Sequence, residues 1–528
     1  MSHLDTSPGP TGPARTVKPR TLRHRLLKGC AWGCGGTVLL CVLLIGLLFV
    51  LLNRVPNTYP PPANPIDPPT PTDYAAFGLE AFESPYLGHT GSWDGQGGSM
   101  WGGSKVPDLE KEAGMGLRWT FMPVNWSAME PEGPVDLARE IPAAWQALDA
   151  FVIAAQKRRL NVLMQAPVVG GNAGGPPAWA GRREKGKSAP LKMDALVEFA
   201  GKLAQRYRPD GTLATEQGWG PRYGVRAWEL DNEPEMYRTH WKGQAADYAE
   251  FVTLAAARIK AMDPKAVIVA PGLAAGKHGL RWLEAALDPA ARAGSPIYRA
   301  QGKSYSIGPV VDVVSLHNYE GLDSAFSGEP RTVGQVFEDV RAVLEKWEQR
   351  APGFTYPRKQ DYWHTEGNFD FLGALSAERR AAWRMQFFTR AFAAGLRKVC
   401  VMDASERERA AVQAYVRALP WPFPMRPADA EVKVLRGRVA TFHHPDGERS
   451  EAGQVWILWA IADTGDAQVE VPVTRERVTL VQVDGSESVP SAPGHWLTLE
   501  LKGDRKMAPP VIVIDRSIEA KNRPDATQ

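Results

Sequence analysis

From about residue 80 to 420, short apolar runs alternate with stretches whose apolar residues recur every three or four positions. The short runs read as strands: SPYLGH (84–89), LRWTFMP (117–123), LNVLMQAP (160–167), VRAWELD (225–231), AVIVAP (266–271), VDVVSLH (311–317), DYWHTE (361–366) and KVCVMD (398–403). Several are apolar on both faces, as buried parallel strands are. Between them the period predicts helices over 139–157, 191–207, 244–262, 331–349 and 376–394. Strands each followed by a helix, at this count, predict an α/β chain with a (β/α)8 TIM barrel over 79–425. An open doubly wound sheet is the rival, but no Gly-rich dinucleotide turn follows an early strand. After about 430 the helical period stops. RVATFHH, QVWILWAIA, AQVEVPV, VTLVQVD, HWLTLEL and PVIVIDR read as strands parted by turn residues. They predict a small all-β sandwich over 426–518, with a tail at 519–528.

The N-terminal region follows another pattern. Gly29 to Leu52 carries no charge over 24 residues. As a helix it would span about 36 Å, enough to cross a bilayer with some tilt. Six basic residues precede it and only Arg54 closely follows. The positive-inside rule then predicts a single-pass membrane protein with a cytoplasmic N-terminus and a periplasmic or extracellular body. A cleaved signal peptide is the rival; the run is long for one, and no small-x-small cleavage site follows Leu52. Residues 1–28 read as a disordered basic segment. Residues 53–78 read as a stiff Pro-rich linker that would hold the body off the membrane.

Composition narrows the function. Apolar residues make up 44% and charged residues 23%, which excludes wholesale disorder. Net charge is +3. The first 54 residues hold seven basic side chains and one acid, or +6, so the body is about −3. Such a body lacks the electrostatic footprint a nucleic-acid partner requires. Outside the apolar stretch and its edges Cys400 stands alone, so the body forms no internal disulfide and no thiolate zinc cage. Gly181 to Ser188 matches the phosphate-loop pattern letter for letter. No strand leads into it and Pro190 disfavours a helix at Lys187, so it reads as a basic surface loop and no nucleotide is expected.

In such a barrel, chemistry sits at the C-terminal ends of the strands. The fourth strand ends in Asp231-Asn232-Glu233-Pro234 and the seventh in His364-Thr365-Glu366-Gly367-Asn368. Each brings a carboxylate to the mouth. Cleaving a glycosidic bond with retention needs such a pair, one to protonate the leaving oxygen and one to attack the anomeric carbon.

These residues carry a resemblance. WELDNEP (228–234) is similar to the Trp-Glu-x-x-Asn-Glu-Pro signature of clan A glycoside hydrolases, the four/seven barrels. NWSAMEPEG (125–133) resembles the clan's turn after strand two, and PPAWA (176–180) its loop after strand three. SLHNY (315–319) resembles the His-x-Tyr end of strand six, and HTEGN (364–368) the nucleophile strand. The likeness covers roughly 85–420 and is family 39-like or family 5-like. It implies a retaining glycosidase acting on a β-linked oligo- or polysaccharide without a cofactor. It implies Glu233 as general acid/base and Glu366 as nucleophile. Asn232 would hydrogen-bond the sugar 2-hydroxyl, Tyr319 would steady Glu366 and His317 would line the cleft. Trp126 and Trp179, with Trp93, Trp101 and Trp241, fall in predicted mouth loops, where an indole can stack on a sugar. Two positions depart from the clan pattern. Phe121 stands where an Arg commonly ends strand two and helps keep the nucleophile ionised. Strand eight ends in Met402-Asp403 without the usual Trp. These departures support an alternative: a catalytically weak or inactive polysaccharide-binding protein on the same fold.

Overall fold

The computed structural model describes residues 87–89, 109–169, 175–183, 189–219, 223–236, 244–274, 277–288, 305–320, 332–350, 362–367, 375–401, 406–419, 425–445, 454–461, 465–504 and 507–515, together with Leu44. Barrel and sheets fall in one compact unit within Asn53–Gln528. Eight parallel strands pair in chain order. They are β1 (Leu87–His89), β2 (Trp119–Asn125), β3 (Asn161–Val168), β4 (Ala227–Glu229), β5 (Val267–Ala274), β6 (Val313–His317), β7 (Tyr362–Glu366) and β8 (Lys398–Val401). β8 pairs with β1 and closes the ring.

All five expected helices form within a few residues of their predicted bounds, at Ala143–Lys157, Met193–Tyr207, Ala245–Met262, Val333–Arg350 and Ala377–Ala394. The first starts later than 139 because Pro142, extended at ψ 159°, sits at its N-cap. The last runs from the Ser376 cap to Gly395, whose φ of 103° ends it in the left-handed region.

Alternation along the strands builds two layers inside the ring. Trp119, Phe121, Leu163, Ala227, Val267, Val269, Val313 and Trp363 form an apolar plug. The buried Lys398 ammonium lies 3.3 Å from the Trp119 ring centroid and 4.3 Å from that of Trp363, so two π faces stand in for water. One inward step toward the C-terminal ends, the same strands turn polar: Leu163 gives way to Gln165, Ala227 to Glu229, Val313 to Ser315, and Trp363 to Thr365. All four polar side chains are buried. The opposite strand face, with Trp228, Ile268 and Leu316, packs into the larger core beneath the helices.

β4 stops at Glu229 rather than at 231. Asp231 and Glu233 adopt φ of 65° and 41°, which turns the chain out of the sheet. Asp231 Oδ1 accepts from the backbone N–H of Asn232 (2.9 Å) and of Val169 (3.2 Å), pinning the turn.

Two antiparallel sheets follow the barrel. One orders β10 (Lys433–Arg436), β13 (Ala467–Pro472) and β16 (Trp496–Leu501). The other orders β15 (Glu487–Ser488), β14 (Thr479–Val481), β17 (Val511–Asp515), β12 (Gln454–Ala460), β11 (Val439–His444) and β9 (Arg426–Pro427). β13 alternates buried and half-buried residues, as a strand with one wet face should. β11 is buried throughout. Gln386 in the last barrel-side helix named above donates to the Ala508 carbonyl (2.7 Å), tying that helix to the sheets.

Among the described residues no helix is long and apolar enough to cross a membrane. The predicted span 29–52 apart from Leu44, the segments 1–28 and 53–78, Trp93, Trp101, Trp241, Asn368 and Met402-Asp403 lie outside the described residues.

Candidate active site

The polar layer and the strand ends above it form one hydrogen-bonded cluster. His317, at the end of β6, is fully buried. Its Nδ1 lies 2.9 Å from Glu233 Oε1, and its Nε2 lies 3.1 Å from Thr365 Oγ1. Thr365 donates to Glu229 Oε1 (2.7 Å), and Gln165 Nε2 donates to Glu229 Oε2 (3.2 Å). Gln165 also donates to Asn232 Oδ1 (2.8 Å), which commits that carbonyl oxygen and leaves the Asn232 amide N–H₂ as the group to offer a ligand. β5 contributes space. Gly272, at φ 61°, lies where an added Cβ would come 3.2 Å from His317 Nε2 and 3.3 Å from Glu229 Oε1.

Glu366 ends β7 and is partly exposed. The Tyr319 hydroxyl donates to its Oε1. A carboxylate oxygen of Glu233, one of Glu366 and an imidazole nitrogen of His317 all lie within 4.8 Å of one another. The two predicted carboxylates therefore face each other, with His317 beside both. His364 is held differently. Its Nδ1 donates to the Cys400 carbonyl (3.1 Å), while its Nε2 accepts from the Asn318 backbone N–H (3.2 Å). Its ring meets Phe387 edge-on at 4.9 Å.

The electrostatics follow from burial and company. For His317, burial opposes the charge. The Glu233 hydrogen bond and the charges of Glu366, Glu233 and Glu229 outweigh it and raise the imidazole to about 9. For His364, burial and the neighbouring His317 charge act together and lower it to about 3, so it stays neutral. Desolvation raises Glu366 above the usual carboxylate range, opposed first by the positive charge of His317. Burial also raises Glu229, opposed by His317 and by the hydroxyls of Ser315 and Thr365. Tyr319 is pushed well above the ordinary phenol range by burial and by Glu366, so it remains a donor.

Five predicted residues thus converge: Asn232, Glu233, His317, Tyr319 and Glu366. Trp126 is a correction. It is fully buried, stacked on Phe199 at 6.2 Å, and its Nε1 donates to Glu130 Oε2 (3.0 Å), so no ring face is open to a sugar. Trp179 is half-buried. Its Nε1 donates to the Glu130 carbonyl (2.7 Å), its ring meets Trp126 edge-on, and the Lys192 ammonium lies 5.3 Å from its centroid. Both indoles brace the loop after β2. Removing the fully buried one, Trp126→Ala, is expected to cost about 3–5 kcal/mol in chemical denaturation; a loss under about 1 kcal/mol would put the indole outside the core.

Phe121 does not enter the mouth. It pairs with Leu163 in the apolar plug, one inward step below Gln165. Sequence reasoning missed Gln165, Glu229, Ser315 and Thr365. The signal was present: each is polar at an alternate position of a strand whose lower inward neighbour is apolar.

The chain matches no protein-family model and no curated protein sequence. Its fold is similar to that of a family 39 glycoside hydrolase from the gut symbiont Bacteroides cellulosilyticus WH2. That likeness has 14% identity and a TM-score of 0.52, and covers 83% of this chain and 81% of that one. It is also similar to a glucosidase from Croceicoccus marinus at 13% identity and a TM-score of 0.50, covering 83% of this chain and 97% of that one. At such identity the likeness is one of fold, and a shared fold does not by itself carry a function.

Proposed function

We propose that this protein is a retaining glycoside hydrolase that cleaves a β-linked glycan with Glu366 as nucleophile and Glu233 as general acid/base. One observation carries the reading: oxygens of the two carboxylates approach within 4.8 Å at the ends of β7 and beyond β4. Retaining enzymes keep their carboxyl groups about 5–5.5 Å apart, whereas inverting ones need about 6.5–9.5 Å to admit a water. The glycosidase names of the proteins that share the fold agree with it.

In the first step the Glu366 carboxylate attacks the anomeric carbon. The glycosidic C–O bond breaks, and Glu233 gives its proton to the departing oxygen. The product is a glycosyl ester on Glu366. In the second step Glu233, now ionised, takes a proton from water, and the resulting hydroxide attacks the same carbon. The ester bond breaks, and both carboxyl groups return to their first state. The Tyr319 hydroxyl orients Glu366, and the Asn232 amide N–H₂ is suited to the 2-hydroxyl, whose hydrogen bond strengthens in the transition state. The membrane anchor and outward placement belong to the same proposal, and the apolar segment 29–52 alone supports them.

The test is stereochemical. The full-length chain is incubated with aryl β-glycosides and β-linked polysaccharides, and the first product is followed by proton NMR before mutarotation. A β-anomer at the outset is the expected result. An α-anomer at the outset would mean inversion and overturn the double displacement. Glycan binding without turnover by the parent would move the protein to the polysaccharide-binding class.

A further inference from the structure

Glu229 takes no part in the two steps above, yet it is the most fully buried carboxylate of the site and several donors converge on it. Thr365 Oγ1 donates to Oε1 at 2.7 Å, Gln165 Nε2 donates to Oε2 at 3.2 Å, and the Ser315 hydroxyl hydrogen-bonds to the same carboxyl group. A threonine hydroxyl has one hydrogen. With that hydrogen spent on Glu229, the oxygen turns a lone pair toward His317 Nε2, 3.1 Å away. An imidazole nitrogen facing a lone pair carries a proton. Among the described residues the other ring nitrogen, Nδ1, then faces Glu233 Oε1 at 2.9 Å.

We propose that Glu229 and Thr365 are positioning residues that fix a proton on His317 Nε2, so that His317 Nδ1 and Glu233 hold the transferable proton between them. The inference rests on the reading of Glu233 as the general acid. Two arrangements remain open to the pair: a neutral imidazole accepting from the Glu233 carboxylic acid, or an imidazolium donating to its carboxylate. Both keep one proton available to the leaving oxygen, and the Nε2 proton never moves. The excluded arrangement is the neutral ring with its single proton on Nδ1. There the ring would donate to Glu233 Oε1, so the acid proton could sit only on Oε2 and the pair could not share it. The imidazolium form also places a positive charge beside Glu366, where Phe121 has left β2 without a cation.

The charged and titratable groups facing His317 come from three elements. Glu229, Glu233 and Glu235 lie on β4 and the turn after it, and Glu366 and His364 lie on β7. Two residues beyond β6, Tyr319 acts on the cluster through Glu366. β5 contributes the uncharged Gly272. The raised imidazole, at about 9, agrees with a ring held as donor on both sides.

The test uses the full-length chain labelled with nitrogen-15 in its histidine rings. The His317 signals are assigned by their loss in His317→Gln and titrated beside the pH profile of kcat/KM. In the parent, Nε2 is expected to stay protonated across the titration, and the basic limb of activity to fall near the His317 midpoint. Thr365→Val and Glu229→Gln are each expected to lower that midpoint by at least about one pH unit and to carry the basic limb with it. Thr365→Ser, which keeps the hydroxyl, is expected to match the parent. Should Thr365→Val fail to fold, Glu229→Gln against Thr365→Ser decides the matter. An unmoved midpoint and an unmoved basic limb in the variants overturn the proposal. A moved midpoint in a chain that hydrolyses no glycan upholds the proton placement and removes the glycosidase reading. Hydrolysis with an unmoved midpoint does the reverse.

Discussion

Glu366→Gln should lower kcat/KM on a β-glycan by at least about 10⁴-fold, roughly 5 kcal/mol of lost transition-state stabilisation. The amide keeps the shape of the carboxyl but carries no charge and forms no glycosyl ester. Glu233→Gln should behave differently. Losing a general acid typically costs about 10²–10⁴-fold. That loss should be large for a sugar leaving group and small for an aryl group that departs without a proton. With the aryl substrate the second step then limits the rate, because no base activates water. Azide, which needs no base, should restore turnover in Glu233→Gln and yield a β-glycosyl azide. Equal losses on sugar and aryl leaving groups would remove Glu233 from the acid/base role. Both variants leave the outline of the cluster intact, so their melting temperatures should stay close to that of the parent.

The Glu366 result also bears on charge. Desolvation raises its pKa, and the positive charge of His317 works against that rise. The group must be ionised to attack. A raised pKa means that activity falls away at a higher pH on acidification than an ordinary carboxylate would dictate. On the proposed mechanism Glu366 is therefore tuned from the end of β6, through His317, while Phe121 on β2 fills the plug.

This division of labour shows what was legible in the sequence. The strand-end carboxylates were readable because a buried strand followed by Asp-Asn-Glu-Pro has no packing reason to end so. The barrel followed from apolar runs spaced by helical periods, and its helices formed where the caps Pro142 and Ser376 put them. The floor of the site was harder to see. A lone polar residue in a short apolar strand reads as one exception per strand. Only closure of the ring brings Gln165, Glu229, Ser315 and Thr365 onto one layer, where each answers the hydrogen bonds of another. Trp126 misled for the opposite reason. Its place after β2 is at the mouth, but the sequence does not say whether an indole faces the cleft or the helices, and Phe199 and Glu130 hold it toward the helices.

Gly367→Ala should displace Glu366 although it adds a single methyl group. Gly367 follows Glu366, the proposed nucleophile, and its backbone passes between two fixed groups. A Cβ built there would lie 2.4 Å from the Asn318 carbonyl oxygen and 2.4 Å from His364 Cε1. Neither neighbour can yield cheaply. The Asn318 N–H donates to the Glu366 carbonyl (3.3 Å) and to His364 Nε2 (3.2 Å), so shifting it loosens the seam between β6 and β7. His364 is itself tied to Cys400 and packed on Phe387. The strain must then move the end of β7, and Glu366 moves with it. Overpacking of this kind costs about 1–3 kcal/mol or more of stability. A displacement of about 1 Å at a reacting group costs on the order of 10²-fold in rate. The expected result is a kcat about 100-fold down in a protein that still folds, with a lowered denaturation midpoint. Gly114→Ala serves as the comparison. It ends the helix Leu109–Gly114, and an added Cβ would meet nothing within 4 Å. It should change stability by less than about 0.5 kcal/mol and leave turnover alone. A Gly367→Ala protein as active and as stable as Gly114→Ala would mean that the seam between β6 and β7 does not set the position of Glu366.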